Sequence, residues 1–421
     1  MKNFEKTYNN GLRLILEKND KNVIGLNILF FVGSQNESKQ KEGYSHFIEH
    51  LVFKGTDKRT ANDISDELTM LGADFNAYTS RTMTRYVFKC LKENFEKCFE
   101  IYADMLINSA FRESDIDKER EVVIEEMKKC ADDPLEVLYE RVLKNYFGEN
   151  SYAHDELGTE EIISTVTKDQ LLEYKNEYYR PENCIISVVG NIDFDILDKI
   201  VQKYFFQTSK NNSPKKVDFT PFKIDSIKKF DIVNRDDNQA NVCVHIKSEK
   251  ADSKLKSVAE LYTCILGNSQ NSRLYKQIRE ELGLVYTIYA FSVVGANTGE
   301  IFIMFGTRAK NLKKAIVEIG KIIKDFAEAG ATETELVMAK NLKKSSLEYA
   351  FETNSDIAEI NGTMVHYYDK VIKIEDSIKM LDDVTLEDVN NFAKQISNEE
   401  LFNIVAVGKN LNIEDISCFK K

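Results

Sequence analysis

CIISVVGNID (residues 184–193) is an apolar run closed by a glycine, and FNIVAVGKN (402–410) repeats its outline near the other end of the chain. Setting Gly190 against Gly408 gives an offset of 218 (408 less 190). The same offset carries Leu26 and Ile28 of VIGLNILFFVGS (23–34) onto Val244 and Ile246 of NVCVHIKS (241–248). Those two segments alternate apolar and polar residues, the pattern of a strand with one buried face. Four segments in register predict a duplicated fold. Between the halves runs QTSKNNSPKKVDFTPF (207–222), polar and holding Pro214 and Pro221, two of the four prolines in the chain. The expected domains are residues 1–208, a linker at 209–222, and residues 223–421.

Within the first half NDISDELTMLG, ENFEKCFEIYADMLINS and ESDIDKEREVVIEEMKKCADD carry helical periodicity. GADFNAYTSRTMTRYVFKCL (72–91) interrupts them with Thr, Tyr, Phe and Val, and reads as a hairpin. Strands and helices in this order predict an α+β fold of two homologous α/β-sandwich halves, each a mainly antiparallel sheet with helices covering one face.

The chain has 421 residues, 43% hydrophobic and 30% charged, enough for two or three domains at about 150 residues each. Its N-terminus lacks an apolar h-region, and no stretch approaches the roughly 18 apolar residues that span a bilayer. A soluble, cytoplasmic protein without a membrane partner is expected. Seven cysteines without a CxxC pair read as reduced, mostly buried thiols. The net charge of -12 argues against a nucleic-acid partner and favours basic ligands.

The chemistry concentrates in HFIEH (46–50). The chain has five histidines, and two of them stand four apart, one above the other on a helix, so both imidazoles can reach one metal ion. Glu49 sits one residue aside, placed for the water of a Zn2+ rather than for the ion. A catalytic zinc site usually has three protein ligands and one open position. EREVVIEEM (119–127) is the best source of the third, because Glu119 and Glu126 are two helical turns apart and share a face. One of them can be a ligand and the other a supporting carboxylate. His154, His245 and His366 have no ligand spacing and read as structural.

HFIEH matches the HxxEH motif of the inverzincins, and the helix bearing Glu126, 76 positions beyond His50 (126 less 50), resembles the distal ligand segment of the pitrilysin family, which includes insulysin and the mitochondrial processing peptidase. NAYTS (76–80), YYRPENCIISVVGNID (178–193) and SRLYKQIREELGLVY (272–286) are similar as well, so the resemblance covers nearly the whole chain. It implies a clamshell of two halves and a zinc endopeptidase that cuts short unfolded peptides inside a closed chamber. It makes His46, His50 and Glu126 the ligands of one Zn2+ per chain, Glu49 the base and Glu119 a supporting acid. Arg279 and Tyr286 would hold the peptide backbone and stabilise the developing oxyanion. Asn76 and Ala77, on an edge strand, would pair with an extended peptide. The offset of 218 turns HFIEH into CILGN (264–268), so the second half has no metal motif and would form a lid and substrate wall. The resemblance also implies a homodimer or a heterodimer with an inactive homologue. Two other readings compete: a noncatalytic scaffold or regulatory subunit, whose relatives have eroded metal motifs, and a zinc hydrolase of a non-peptide amide, which would not need Arg279, Tyr286 or an edge strand.

Overall fold

The computed structural model describes residues 2–205, 214, 216–224, 227–251 and 255–420. Residues 209–213 and 215 of the expected linker lie outside these, and its other residues have no regular secondary structure. The chain separates into two compact units, one of residues 1–128, 154–217 and 350–372, the other of 129–153, 218–349 and 373–421. Each unit therefore takes most of its residues from one half of the sequence and a helical segment from the other.

The first unit contains strands β1 (Lys2–Thr7), β2 (Arg13–Lys18), β3 (Val23–Phe30), β4 (Asp74–Thr79), β5 (Thr84–Leu91) and β6 (Cys184–Gly190) in the order β1-β2-β6-β3-β5-β4. All pairs are antiparallel except β2 with β6. The second unit contains β7 (Phe230–Asn234), β8 (Ala240–Ser248), β9 (Val285–Val294), β10 (Gly299–Thr307) and β11 (Phe402–Gly408) in the order β7-β11-β8-β10-β9, with only β7 and β11 parallel. Without the β1 hairpin arm the two orders are the same, so the duplication read from four strands holds for the whole topology. The mixed, mainly antiparallel α+β architecture agrees with the sequence.

CIISVVG and FNIVAVG form β6 and β11, buried along their full length, as suits apolar runs covered on both faces. The alternation in VIGLNILF predicted one solvated face, and this is corrected: β3 is buried from Ile24 to Phe30. The reason is a helix from far along the sequence, Asn354–Tyr368, which lies on the second face of the sheet. A Cβ on Gly25 would come within 2.5 Å of the backbone of Asn354, so the small residue in β3 makes room for that helix. In the second unit the corresponding cover on β8 and β11 is the helix Pro134–Phe147.

The expected helices and hairpin form where the patterns put them. The hairpin is β4 and β5, with β4 at the sheet edge. Three helices matter for the site: α1 (Tyr44–Val52), α2 (Ala61–Met70) and α3 (Phe95–Asn108). A fourth, α4 (Glu113–Asp132), turns Ile116, Glu119 and Val123 inward at helical spacing. Phe47, Ile48, Leu51 and Val52 of α1 join Leu26, Ile28, Phe88 and Phe99 in the first core. Phe47 is fully buried, and removing such a side chain to Ala costs about 3–5 kcal/mol. No helix among the described residues is long and apolar enough to cross a membrane.

Candidate metal centre

The site begins with how α1 is started. Gly43 precedes it in the left-handed region at φ 88°, and a Cβ there would lie 2.4 Å from the carbonyl of Leu157. The free N–H groups of the first turn are met by a side chain from the preceding loop. Glu37 accepts from Gly43 N and Ser45 N, both at 2.7 Å, and a carboxylate there also complements the helix dipole. Burial pushes the Glu37 carboxyl up to about 8 in spite of these bonds.

With α1 anchored by Phe47, Ile48, Leu51 and Val52, His46 and His50 emerge side by side, ring centroids 4.6 Å apart. Glu126 of α4 completes the group: its Oε2 stands 3.8 Å from His46 Nε2 and 3.7 Å from His50 Nε2. One ligand atom from each of the three lies within 4.8 Å of the others, and this is the metal-competent cluster found among the described residues. Zinc with ligands at about 2.0–2.1 Å in a tetrahedron sets those ligands about 3.4 Å apart. The observed separations are near that value, and two imidazoles with one carboxylate are a donor set that zinc accepts, so the residues fit the ion.

The surrounding groups prepare the ligands. His50 Nδ1 meets Glu119 Oε2 at 3.2 Å, a contact that leaves Nε2 facing the cluster with its lone pair. Glu119 Oε1 in turn accepts from Lys54 Nζ at 2.7 Å. Burial raises the Glu119 carboxyl, but the bonds to His50 and Lys54 outweigh it and hold the group below its ordinary range. For His50 burial works downward, and the Glu119 bond with the charges of Glu49, Glu119 and Glu126 lifts it above the usual histidine value. His46 has no such partner, and burial followed by the nearby His50 lowers it to about 3, leaving a neutral imidazole.

Glu49 stays out of the three-residue group. Thr79, the last residue of β4, donates its hydroxyl to Glu49 Oε2 at 2.6 Å. Burial keeps the Glu49 carboxyl above its normal range, with the Thr79 bond and His50 pulling the other way. Along β4, Ala77 is buried towards the core, while Asn76 is exposed and donates to Tyr78 Oη at 3.1 Å.

Arg279 and Tyr286 belong to the second unit. Arg279 lies on a wide π-helical turn, Tyr275–Glu281, with its guanidinium 4.7 Å from the centroid of the Tyr275 ring. Tyr286 is the second residue of β9, is 48% exposed, and accepts a hydrogen bond from Arg308 Nε. His154 approaches Glu42, with Nε2 to Oε1 at 3.4 Å, and His245 is fully buried. Neither enters the metal group.

Thr79, Lys54, Glu37 and Arg308 escaped the sequence reading. Lys54 had a faint signal, lying four residues after His50. Thr79 stood inside the quoted NAYTS, but nothing in the sequence pairs it with Glu49.

The family model described as Insulinase (Peptidase family M16) matches residues 13–160, and that described as Peptidase M16 inactive domain matches residues 165–343. A relative from Bacillus subtilis (strain 168), named uncharacterized zinc protease YmxG, is 30% identical over 396 residues, covering 94% of this chain and 95% of the relative. An uncharacterized zinc protease of Rickettsia bellii (strain RML369-C) is 29% identical over 392 residues, covering 93% and 94%. Among solved structures, a protease from Helicobacter pylori superposes with a TM-score of 0.87 at 23% identity, covering 97% of this chain and 99% of that one. A structure from Pseudomonas fluorescens described as a peptidase M16 inactive domain superposes with a TM-score of 0.88 at 19% identity, covering 98% of each chain. These two likenesses concern the fold.

Proposed function

This chain belongs to the insulinase family, peptidase family M16, and we propose that it is a zinc endopeptidase acting on short, unfolded peptides. The observation that carries the reading is the convergence of His46, His50 and Glu126 on one point while Glu49 stands beside them, uncommitted to the group. His46, His50 and Glu126 would hold one Zn2+ per chain. Bound there, zinc would acidify its water and polarise the peptide carbonyl. Glu49 then accepts the proton of the attacking water and returns it to the leaving amine, a shuttle suited to a carboxyl held above its ordinary pKa by burial. Glu119 fixes the ring of His50 through Nδ1.

The rest of the reading concerns the peptide. β4 is an edge strand, so its outer backbone groups are open to an extended peptide beside Asn76 and Ala77. Main-chain pairing of that kind tolerates many sequences. Arg279 and Tyr286 would supply donors to the peptide backbone from the second unit, in keeping with the family resemblance of SRLYKQIREELGLVY. That resemblance also supports association of two chains, which light scattering over a range of concentrations tests. A noncatalytic scaffold is disfavoured because all four residues of the metal site and base are present.

The test is mass spectrometry of an unstructured peptide library incubated with zinc-loaded wild type and, in parallel, with Glu49→Gln. Cleavage by the wild type alone supports the reading. Equal cleavage by both removes Glu49 as base, and no cleavage by a wild type that holds zinc moves the chain to a binding or partner-dependent role.

A further inference from the structure

The hydrogen bond between the hydroxyl of Thr79 and Glu49 has no part in the mechanism above, and it joins two elements that each have one. Thr79 ends β4, the edge strand, and Glu49 projects from the last turn and a half of α1. We infer that Thr79 is a positioning residue for the base: its hydroxyl holds Glu49 Oε2, leaves Oε1 as the oxygen that takes the proton, and ties the base to the strand on which the peptide is laid. The inference rests on the reading of Glu49 as base and deepens it.

The geometry limits what else the contact can be. At 2.6 Å it is a short bond from a hydroxyl to a carboxylate, the stronger class of hydrogen bond. Alternation along β4 turns Phe75, Ala77 and Thr79 to the α1 side, where Phe75 stacks on Phe53 at 6.2 Å, and sends Asn76 and Tyr78 to the other. Thr79 therefore reaches Glu49 only in the native register of the hairpin, in which Thr79 pairs with Thr84 and Ala77 with Tyr86. A slip of one residue would turn Thr79 away and offer Tyr78 in its place. Glu49 has three side-chain bonds of its own to turn about. The backbone of Thr79 also bonds this carboxyl, but without the hydroxyl beside it the carboxylate would be held less closely, and a smaller part of its population would face the attacking water. The hydroxyl thus does two things for the proposed chemistry. It narrows the base to one orientation, and it sets that orientation in the frame of the edge strand, so that the register in which a peptide pairs with β4 also fixes which of its carbonyls meets the base.

The expectation is a loss in turnover without a loss in metal or in peptide binding. A hydrogen bond to a charged group, removed, corresponds to about 10- to 100-fold in rate. Thr79→Val keeps the shape and deletes the donor; Thr79→Ser keeps the donor and deletes the methyl. Steady-state cleavage of one peptide taken from the library is measured for wild type, both variants and Glu49→Gln, with zinc content by elemental analysis on each. The inference is supported if Thr79→Val lowers kcat about 10- to 100-fold with KM and zinc within twofold of wild type while Thr79→Ser keeps most of the activity. It is overturned if Thr79→Val turns over like wild type, if Thr79→Ser falls as far as Thr79→Val, which would make the residue a packing element, or if the loss follows the zinc content. A wild type whose cleavage matches that of Glu49→Gln overturns the base reading, and this inference with it; Glu49-dependent cleavage indifferent to Thr79→Val overturns this inference alone.

Discussion

Replacing Glu119 with Gln asks whether the carboxylate behind His50 sets the affinity of the metal site. Its side chain is 7% exposed and divides its oxygens, Oε2 to His50 Nδ1 at 3.2 Å and Oε1 to Lys54 Nζ at 2.7 Å. Gln keeps the volume and one acceptor and loses the charge. A hydrogen bond to a charged group contributes about 1.5–3 kcal/mol and a neutral one about 0.5–1.5, so the His50 contact weakens by about 1–2 kcal/mol. At about 1.4 kcal/mol per decade this is roughly 5- to 30-fold in zinc affinity, in line with the about 10- to 100-fold typical of groups that orient a ligand from behind. The Lys54 pair adds little, since the lysine side chain is 35% exposed and such pairs contribute about 0–1 kcal/mol. Competition against a chelator of known affinity, at neutral pH, reads the zinc Kd of wild type and variant. An unchanged Kd would refute the claim that Glu119 acts through His50.

Glu126→Gln should strip zinc from the purified protein, because Oε2 of Glu126 is the carboxylate oxygen that faces both imidazoles. Wild-type zinc by elemental analysis would move the third ligand to another carboxylate. Glu37 makes a prediction in pH. Burial raises its carboxyl from 4.5 to about 8, so its contribution to stability is full below about pH 4.5 and is lost as pH climbs towards about 8. Unfolding by urea at several pH values should therefore show the wild type losing stability relative to Glu37→Gln across that window, and a constant difference between the two would show that Glu37 does not titrate there.

The legible parts of this molecule share one property: their signal is local. HFIEH could be read because helical spacing alone brings His46 to His50, and the two turns between Glu119 and Glu126 follow from the same geometry. β6 and β11 could be read because a strand buried on both faces needs no partner in the sequence to look apolar. What escaped is what tertiary contact supplies. The burial of β3 depends on the helix Asn354–Tyr368, and no periodicity in VIGLNILF announces a cover that arrives from the other half of the chain. Lys54 acts on His50 only through Glu119, and Thr79 meets Glu49 only when the hairpin and α1 are packed. Each such residue is ordinary in its own segment.

The duplication shows how much of the site is space and how much is ligand. The offset of 218 places Cys264, Gly267 and Asn268 where the first half has His46, Glu49 and His50. Losing the ligands alone would leave a helix able to regain them by substitution. The second unit has gone further: Cys264, Ile265 and Leu266 are buried in its core, and a Cβ on Gly267 would stand 2.7 Å from Cβ of Ala290 in β9. Ala290 lies on the strand that corresponds to β4, so in the second unit this helix packs directly against its edge strand, whereas α1 carries Glu49 to Thr79 of β4. A glutamate cannot enter there without moving helix or strand. In the first half that gap between helix and edge strand is kept open, and it is filled by a buried carboxyl whose charged form burial disfavours. Apolar packing is the cheaper solution wherever nothing selects against it, as the second half shows, so the retention of Glu49, Glu119 and two imidazoles around one point in the first is the cost that a working metal site would explain.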